Sequence, residues 1–188
     1  MTGTRYTIDI IPEIVKRNPL IKEICLSAYK YVPHTLSEKG MRKNYRVKRQ
    51  EVFDLRKKIS SLKIPKGWML GLASKVVMKN QSCRHIPEID FKCSVSDKNL
   101  EQIKIKLSEV IRTFPGYLIV SGASYHYIGL RLLTEREWEK FIGLCLFCDK
   151  EQSVIDLRWC GYQLILGYSN LRIMASDSKP EEPKVVFF

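Results

Sequence analysis

Negative charge is scarce in this sequence: 20 Asp and Glu stand against 32 Lys and Arg, a net charge of +12 over 188 residues. Such an excess repels itself unless something anionic lies against it, and a phosphate backbone is the commonest such partner. Long apolar runs are missing too. None approaches the roughly 20 residues a helix needs to cross a bilayer, which excludes a membrane-spanning reading. The opening MTGTRYTIDI lacks the apolar stretch of a secretory leader. Six cysteines without such a leader are expected to be free thiols in a reducing cytoplasm, not a disulfide scaffold. Internal repeats are absent, and the only biased tract is a short polar, proline-containing stretch, Ser176 to Pro183, read as a surface loop. With 45% hydrophobic and 28% charged residues, disorder is not expected either.

What is present divides at about residue 66. Residues 1–66 read as a basic, mainly helical N-terminal region. Asn18 can cap a helix with Pro19 at its first position, which puts Leu20, Ile21, Ile24, Cys25 and Ala28 on one face. From Lys39 to Lys58 nine basic residues, among them Arg42, Lys43, Arg46, Lys48 and Arg49, face only Glu51 and Asp54. Tyr45 and Phe53 are interleaved with them. Clustered bases neutralise phosphates and an aromatic among them can stack on an unpaired base, so single-stranded nucleic acid is the expected ligand; a solvated helix face is the alternative.

Residues 67–188 read as an α+β core. Trp68–Met78 and His85–Cys93 have strand character. A helix opening at Ser96 or Asp97 carries Leu100, Ile103, Leu107, Val110, Ile111 and Phe114, and stops at Pro115-Gly116. Tyr117–Val120 and Tyr125–Leu133 are strands joined by Ser121-Gly122-Ala123-Ser124. Thr134 and Glu137 then form a capping box for a helix whose buried stripe includes Trp138, Phe141, Ile142 and Cys145. Further strands are expected at Val154–Arg158, Leu171–Met174 and Val185–Phe187. After residue 80 the order is β-α-β-β-α-β, the split βαβ of an RRM-like antiparallel sheet with helices on one face.

Three features on the open side of that sheet carry chemistry. Glu88 and Asp90 are two apart on a strand and so project from one face. Ser124 and His126 follow the small-residue turn, and Asp156 stands alone after Ile155. Carboxylates from adjacent strands suit hard divalent cations, and a Ser and a His beside them can bond phosphate oxygens. His34 and His85 read as structural or surface residues. Cys145 and Cys148 form a C-x-x-C, but within an apolar helical stripe, whereas structural zinc favours ligands on turns.

An acidic pair on a strand, a small-residue turn ending in Ser-x-His, and an isolated acid after an apolar residue form a pattern that resembles the archaeo-eukaryotic primase and primase-polymerase superfamily, over about residues 68–188. The resemblance implies a nucleotidyltransferase that makes or extends a DNA or RNA strand from nucleoside triphosphates on a single-stranded template, as in DNA replication. Glu88, Asp90 and Asp156 would hold Mg2+ or Mn2+ in a two-metal site. Ser124 and His126 would hold the triphosphate, with Arg172 as the basic residue that follows the third motif and meets phosphate. The acidic pair can also be set with Asp90 first, which puts Lys92 in its second position. A reduced member that only binds nucleic acid, alongside other subunits of a replication or defence complex, is then the alternative. A scaffold domain docking an acidic protein is a third.

If the basic run binds single strands, affinity should fall steeply as salt rises, through release of condensed counterions. Neutralising Arg46, Lys48 and Arg49 together should flatten that slope in a filter-binding salt series; an unchanged slope would leave the run as ordinary surface.

Overall fold

A computed structural model describes residues 3–32, 41–110, 115–147 and 154–187. Its elements are α1 (Thr7–Arg17), β1 (Ile21–Tyr29), β2 (Arg42–Lys48), α2 (Arg49–Val52), α3 (Leu55–Ser60), β3 (Met69–Met78), β4 (Cys83–His85), β5 (Glu88–Asp90), α4 (Asp97–Val110), β6 (Gly116–Ser121), β7 (Ser124–Gly129), α5 (Glu135–Phe147), α6 (Leu157–Leu166), β8 (Asn170–Arg172) and β9 (Lys184–Phe187). The chain is mixed α+β, and its strands pair antiparallel in two sheets. The first runs β2-β1-β3-β4, with β8 also on β3; the second runs β5-β7-β6-β9.

The mainly helical reading of residues 1–66 is corrected by β1 and β2. Ile24, Leu26 and Ala28 are buried at strand spacing on the core face of β1. Ile21 is buried too, three residues before Ile24, because the pairing with β3 shifts register between Ile21 and Cys25. Two successive register shifts thus imitate helical spacing. Asn18 ends α1 instead of starting a helix: its side-chain amide donates to Ile14 O (2.8 Å) and Leu130 O (2.9 Å). From Arg42 onward the basic run is edge strand β2 followed by two short helices, and Lys39 lies outside the described residues. Because β1 pairs with β3, the first sheet spans position 66.

Apart from the strand expected over 154–158, the other expected elements in the described residues form close to their places. The strand expected over 85–93 is split at Ile86-Pro87, with β4 in the first sheet and β5 in the second. Ser96 Oγ accepts the Asn99 N–H and opens α4. Thr134 and Glu137 exchange the two bonds of the capping box, at 2.7 and 3.1 Å. Residues 111–114, which hold the expected end of α4, and His34 and Cys148 lie outside the described residues.

Two cores flank the second sheet. One packs α1, α2 and α3 on the first sheet and takes in Tyr117, Ile119 and Ile128. The other packs Ile89, Leu118, Tyr125 and Tyr127 against Ile103 of α4, Trp138, Phe141, Ile142 and Cys145 of α5, and Cys160 of α6. His85 belongs to the structure, as expected: it is buried, stacks on Trp138 at 4.7 Å and shares a 3.1 Å hydrogen bond with the Ser74 hydroxyl. Burial pushes its imidazole down to about 4, so it stays neutral.

Phe141 is 3% exposed within the second core. Phe141→Ala should cost about 3–5 kcal/mol in urea unfolding. A change within about 0.5 kcal/mol would mean that α5 turns a different face inward.

Candidate active site between the two sheets

The site grows from a hairpin. Gly122 has φ of +69°, a conformation that glycine adopts without strain, and this lets Ser121 and Ser124 pair across a two-residue turn between β6 and β7. Along β7, Tyr125 and Tyr127 enter the second core, so Ser124, His126 and Ile128 face the other way. Asp90 lies directly across from His126, with Oδ1 3.4 Å from Nε2. Ser124 Oγ donates to the Phe91 carbonyl, and Phe91 N–H donates to Tyr125 O at 3.0 Å, so the end of β5 is tied to the hairpin.

Residues 154–156 flank Asp90 on its other side. Lys92 N–H donates to Val154 O and Asp156 N–H to Asp90 O, both at 2.9 Å, around a Phe91–Ile155 bridge. The strand expected over 154–158 is reduced to this bridge because α6 starts at Leu157. Asp156 is the N-cap of α6, and its Oδ1 accepts the Trp159 N–H at 3.0 Å. Two carboxylates are thereby set side by side by backbone hydrogen bonds.

They open into a cavity of about 370 Å³. His126, Ser124, Ser121 and Arg172 line it from one direction, Arg158, Trp159 and Tyr162 of α6 from another, and Tyr29 and Arg42 of the first sheet, with Tyr31 just after β1, from a third. Lys179 reaches it from the loop after β8. Burial pushes the Asp90 carboxyl up to about 8; the Asp156 charge adds to this, while Lys179, the Phe91 amide and Arg172 oppose it. Burial, helped by the Arg172 and Lys179 charges, drives the His126 imidazole down to about 3, so it is neutral. Tyr29 is pushed up to about 12, chiefly by burial and then by Asp90, and remains a neutral hydroxyl.

Among the expected site residues, the structure gathers Asp90, Asp156, Ser124, His126, Arg172 and Arg42 around this cavity and leaves Glu88 out of its wall. Glu88 does share a face with Asp90, but its partner across the sheet is Ile128 of the first core. One step of two residues, about 6.5–7 Å, carries that face from cavity to apolar interior. Glu88 is fully buried, neither carboxylate oxygen has a hydrogen-bond partner, and burial raises its carboxyl well above the ordinary range against a weaker opposing effect of Ser169. Lys92 is exposed.

The five bases expected to meet nucleic acid divide. Arg42 lies over the Tyr29 and Tyr168 rings at 5.2 and 5.8 Å and donates to Ser27 Oγ at 3.1 Å. Lys43, Arg46 and Lys48 are exposed along the edge strand, Arg46 with a 3.8 Å ion pair to Glu23. Arg49 serves the fold: its Nη1 donates to Val15 O (2.7 Å) and Asn18 O (3.0 Å), capping the C-terminus of α1. Sequence reasoning missed Tyr29 and Tyr31, hidden by the helical reading of β1. It also missed Lys179, which sits in a stretch read as mere loop.

Two carboxylates suit one hard cation. Mg2+ is commonly held by one or two carboxylates, its other ligands coming from water and substrate phosphates. Asp90 is 28% exposed and Asp156 keeps an oxygen not used in capping, so this donor set fits a divalent ion. Among the described residues no group of three His, Cys, Asp or Glu could hold a metal, and Glu88 adds no ligand at the cavity.

The described helices include none long and apolar enough to cross a membrane. No curated protein and no solved structure matches the chain. The sequence model of the AEP-like family, described as archaeo-eukaryotic primase 1D-like, matches residues 49–185, a span that holds β3 to β8, the start of β9 and both aspartates. Well over half of the chain is covered, and the chain belongs to the AEP-like, archaeo-eukaryotic primase-like family.

Proposed function

We propose that this chain is a metal-dependent nucleotidyltransferase of primase-polymerase type, which starts or extends a DNA or RNA strand from nucleoside triphosphates on a single-stranded template. The observation that carries the reading is the backbone-locked pair Asp90 and Asp156 at a cavity shared with His126 and cationic side chains. We read β5-α4-β6-β7-α5, followed by residues 154–156 beside β5, as the RRM-like split βαβ of that superfamily.

Asp90 and Asp156 would hold Mg2+ or Mn2+, which, when bound, neutralises charge on the phosphates and favours the attacking hydroxyl as its oxyanion. His126 supplies a neutral imidazole that can donate one hydrogen bond to a phosphate oxygen without bringing positive charge. Ser124 holds the end of β5 through Phe91, so donating to phosphate would require giving up that bond. Trp159, Tyr162 and Tyr31 offer apolar and aromatic area for a base. Arg46, Lys43 and Lys48, exposed on the edge strand that begins at Arg42 in the cavity wall, would take the template backbone.

The position of Glu88 favours one alternative, a reduced member that binds nucleic acid without polymerising. One assay separates them: labelled nucleoside triphosphates, single-stranded template, and Mg2+ or Mn2+, with and without a primer. The catalytic reading expects metal-dependent incorporation, lost in Asp90→Ala and Asp156→Ala while single-strand binding persists. Glu88→Gln should retain incorporation. Wild-type protein that binds the strand but incorporates nothing with either metal would establish the reduced reading instead.

A further inference from the structure

The basic residue expected to meet phosphate, Arg172, is occupied elsewhere. It is 5% exposed, and its Nη1 donates to the carbonyls of Glu181 (2.6 Å), Met174 (2.9 Å) and Lys179 (3.4 Å). Its Nη2 donates to Ser121 Oγ at 3.0 Å, at the base of the β6–β7 turn. A guanidinium directed at three carbonyls of one loop and at a hydroxyl of the neighbouring hairpin acts as a clasp between them.

Among the described residues, the loop's other fixed points lie at its own turn and downstream of it. Ser176 and Lys179 exchange two backbone bonds, at 2.9 and 3.0 Å, which close the turn between them. Downstream, Glu182 pairs with Arg56 at 3.2 Å and Pro183 O accepts the Thr7 N–H at 2.9 Å. Between these fixed points the Lys179 side chain passes over Gly122: a Cβ built there would lie 3.9 Å from Lys179 Cδ and 3.9 Å from Arg172 Nη2. Lys179 lines the cavity, and among the described residues it forms no ion pair. Its charge is felt by both Asp90 and His126.

We propose that Lys179 is the cation that receives the polyphosphate of the nucleotide, and that Arg172 is a positioning residue that holds the 174–181 loop so that Lys179 reaches it. The assignment rests on the nucleotidyltransferase reading and changes which side chain does the binding. A lysine ammonium is a compact charge on a flexible stem with three donors, suited to a polyphosphate that arrives and leaves. Arg172, already committed to carbonyls, would have to release the loop to take phosphate.

Calorimetric titration with adenosine triphosphate and, separately, inorganic triphosphate, both with Mg2+, tests this. Lys179→Ala should weaken both by about tenfold or more, and Lys179→Arg should restore most of the loss. Lys179 is exposed, so neither change should affect thermal unfolding appreciably. Arg172→Lys should weaken binding by a similar factor, and adding Lys179→Ala to it should cost little more, because both act through one ammonium. Undiminished binding by Lys179→Ala overturns the proposal, and so do losses that multiply in the double variant, the signature of a direct Arg172 contact. A wild-type chain that binds neither probe would instead count against the nucleotide reading on which the proposal stands.

Discussion

Two backbone hydrogen bonds, from Lys92 to Val154 and from Asp156 to Asp90, fix everything that follows at the site. They bring together residues more than sixty positions apart in sequence and set two carboxylates beside each other at the margin of an apolar core. Burial raises the Asp90 carboxyl, and the like charge of Asp156 beside it adds to the rise. A protein keeps such a pair only if the surrounding backbone over-determines it. Here the Phe91 bridge, the Ser124 bond to Phe91 and the N-cap role of Asp156 all do so. A divalent cation would relieve the repulsion, which is why the pair reads as a binding site and not as a fault in the core.

Around this negative centre the cavity wall is cationic, with Arg42, Arg158, Arg172 and Lys179 on its sides. Burial keeps His126 neutral, and the Arg172 and Lys179 charges that add to this would also attract a polyphosphate. Arg42 comes from β2, before the span that matches the family, and Tyr29 and Tyr31 from β1 and just after it. The first sheet is therefore a wall of the site as well as its support.

How much of this was legible in the sequence depended on whether a signal was local. The Thr134/Glu137 box and the stripe of Trp138, Phe141, Ile142 and Cys145 are local, and they stand as read. The motif order that identified the superfamily is also written along the chain, and it led to Asp90, His126 and Asp156 at one cavity. Three things were not local. Two register shifts in β1 spaced its buried residues like a helix, so Ile21–Tyr29 was misread. Glu88 has the right parity to join Asp90, yet where a strand face passes from cavity to core depends on Ile128 across the sheet. Arg172 follows the third motif as expected, but carbonyls two to nine residues downstream in the chain occupy it.

We infer that Asp90 and Asp156, without Glu88, form the cation site of a nucleotidyltransferase. Anomalous diffraction from crystals grown with Mn2+ and a non-hydrolysable nucleoside triphosphate tests it most directly. Manganese is expected on the Asp90 and Asp156 carboxylates, with the polyphosphate in the adjoining cavity and Glu88 unligated. Manganese bound elsewhere, ligated by Glu88, or absent from that pair in crystals containing the bound triphosphate would contradict it.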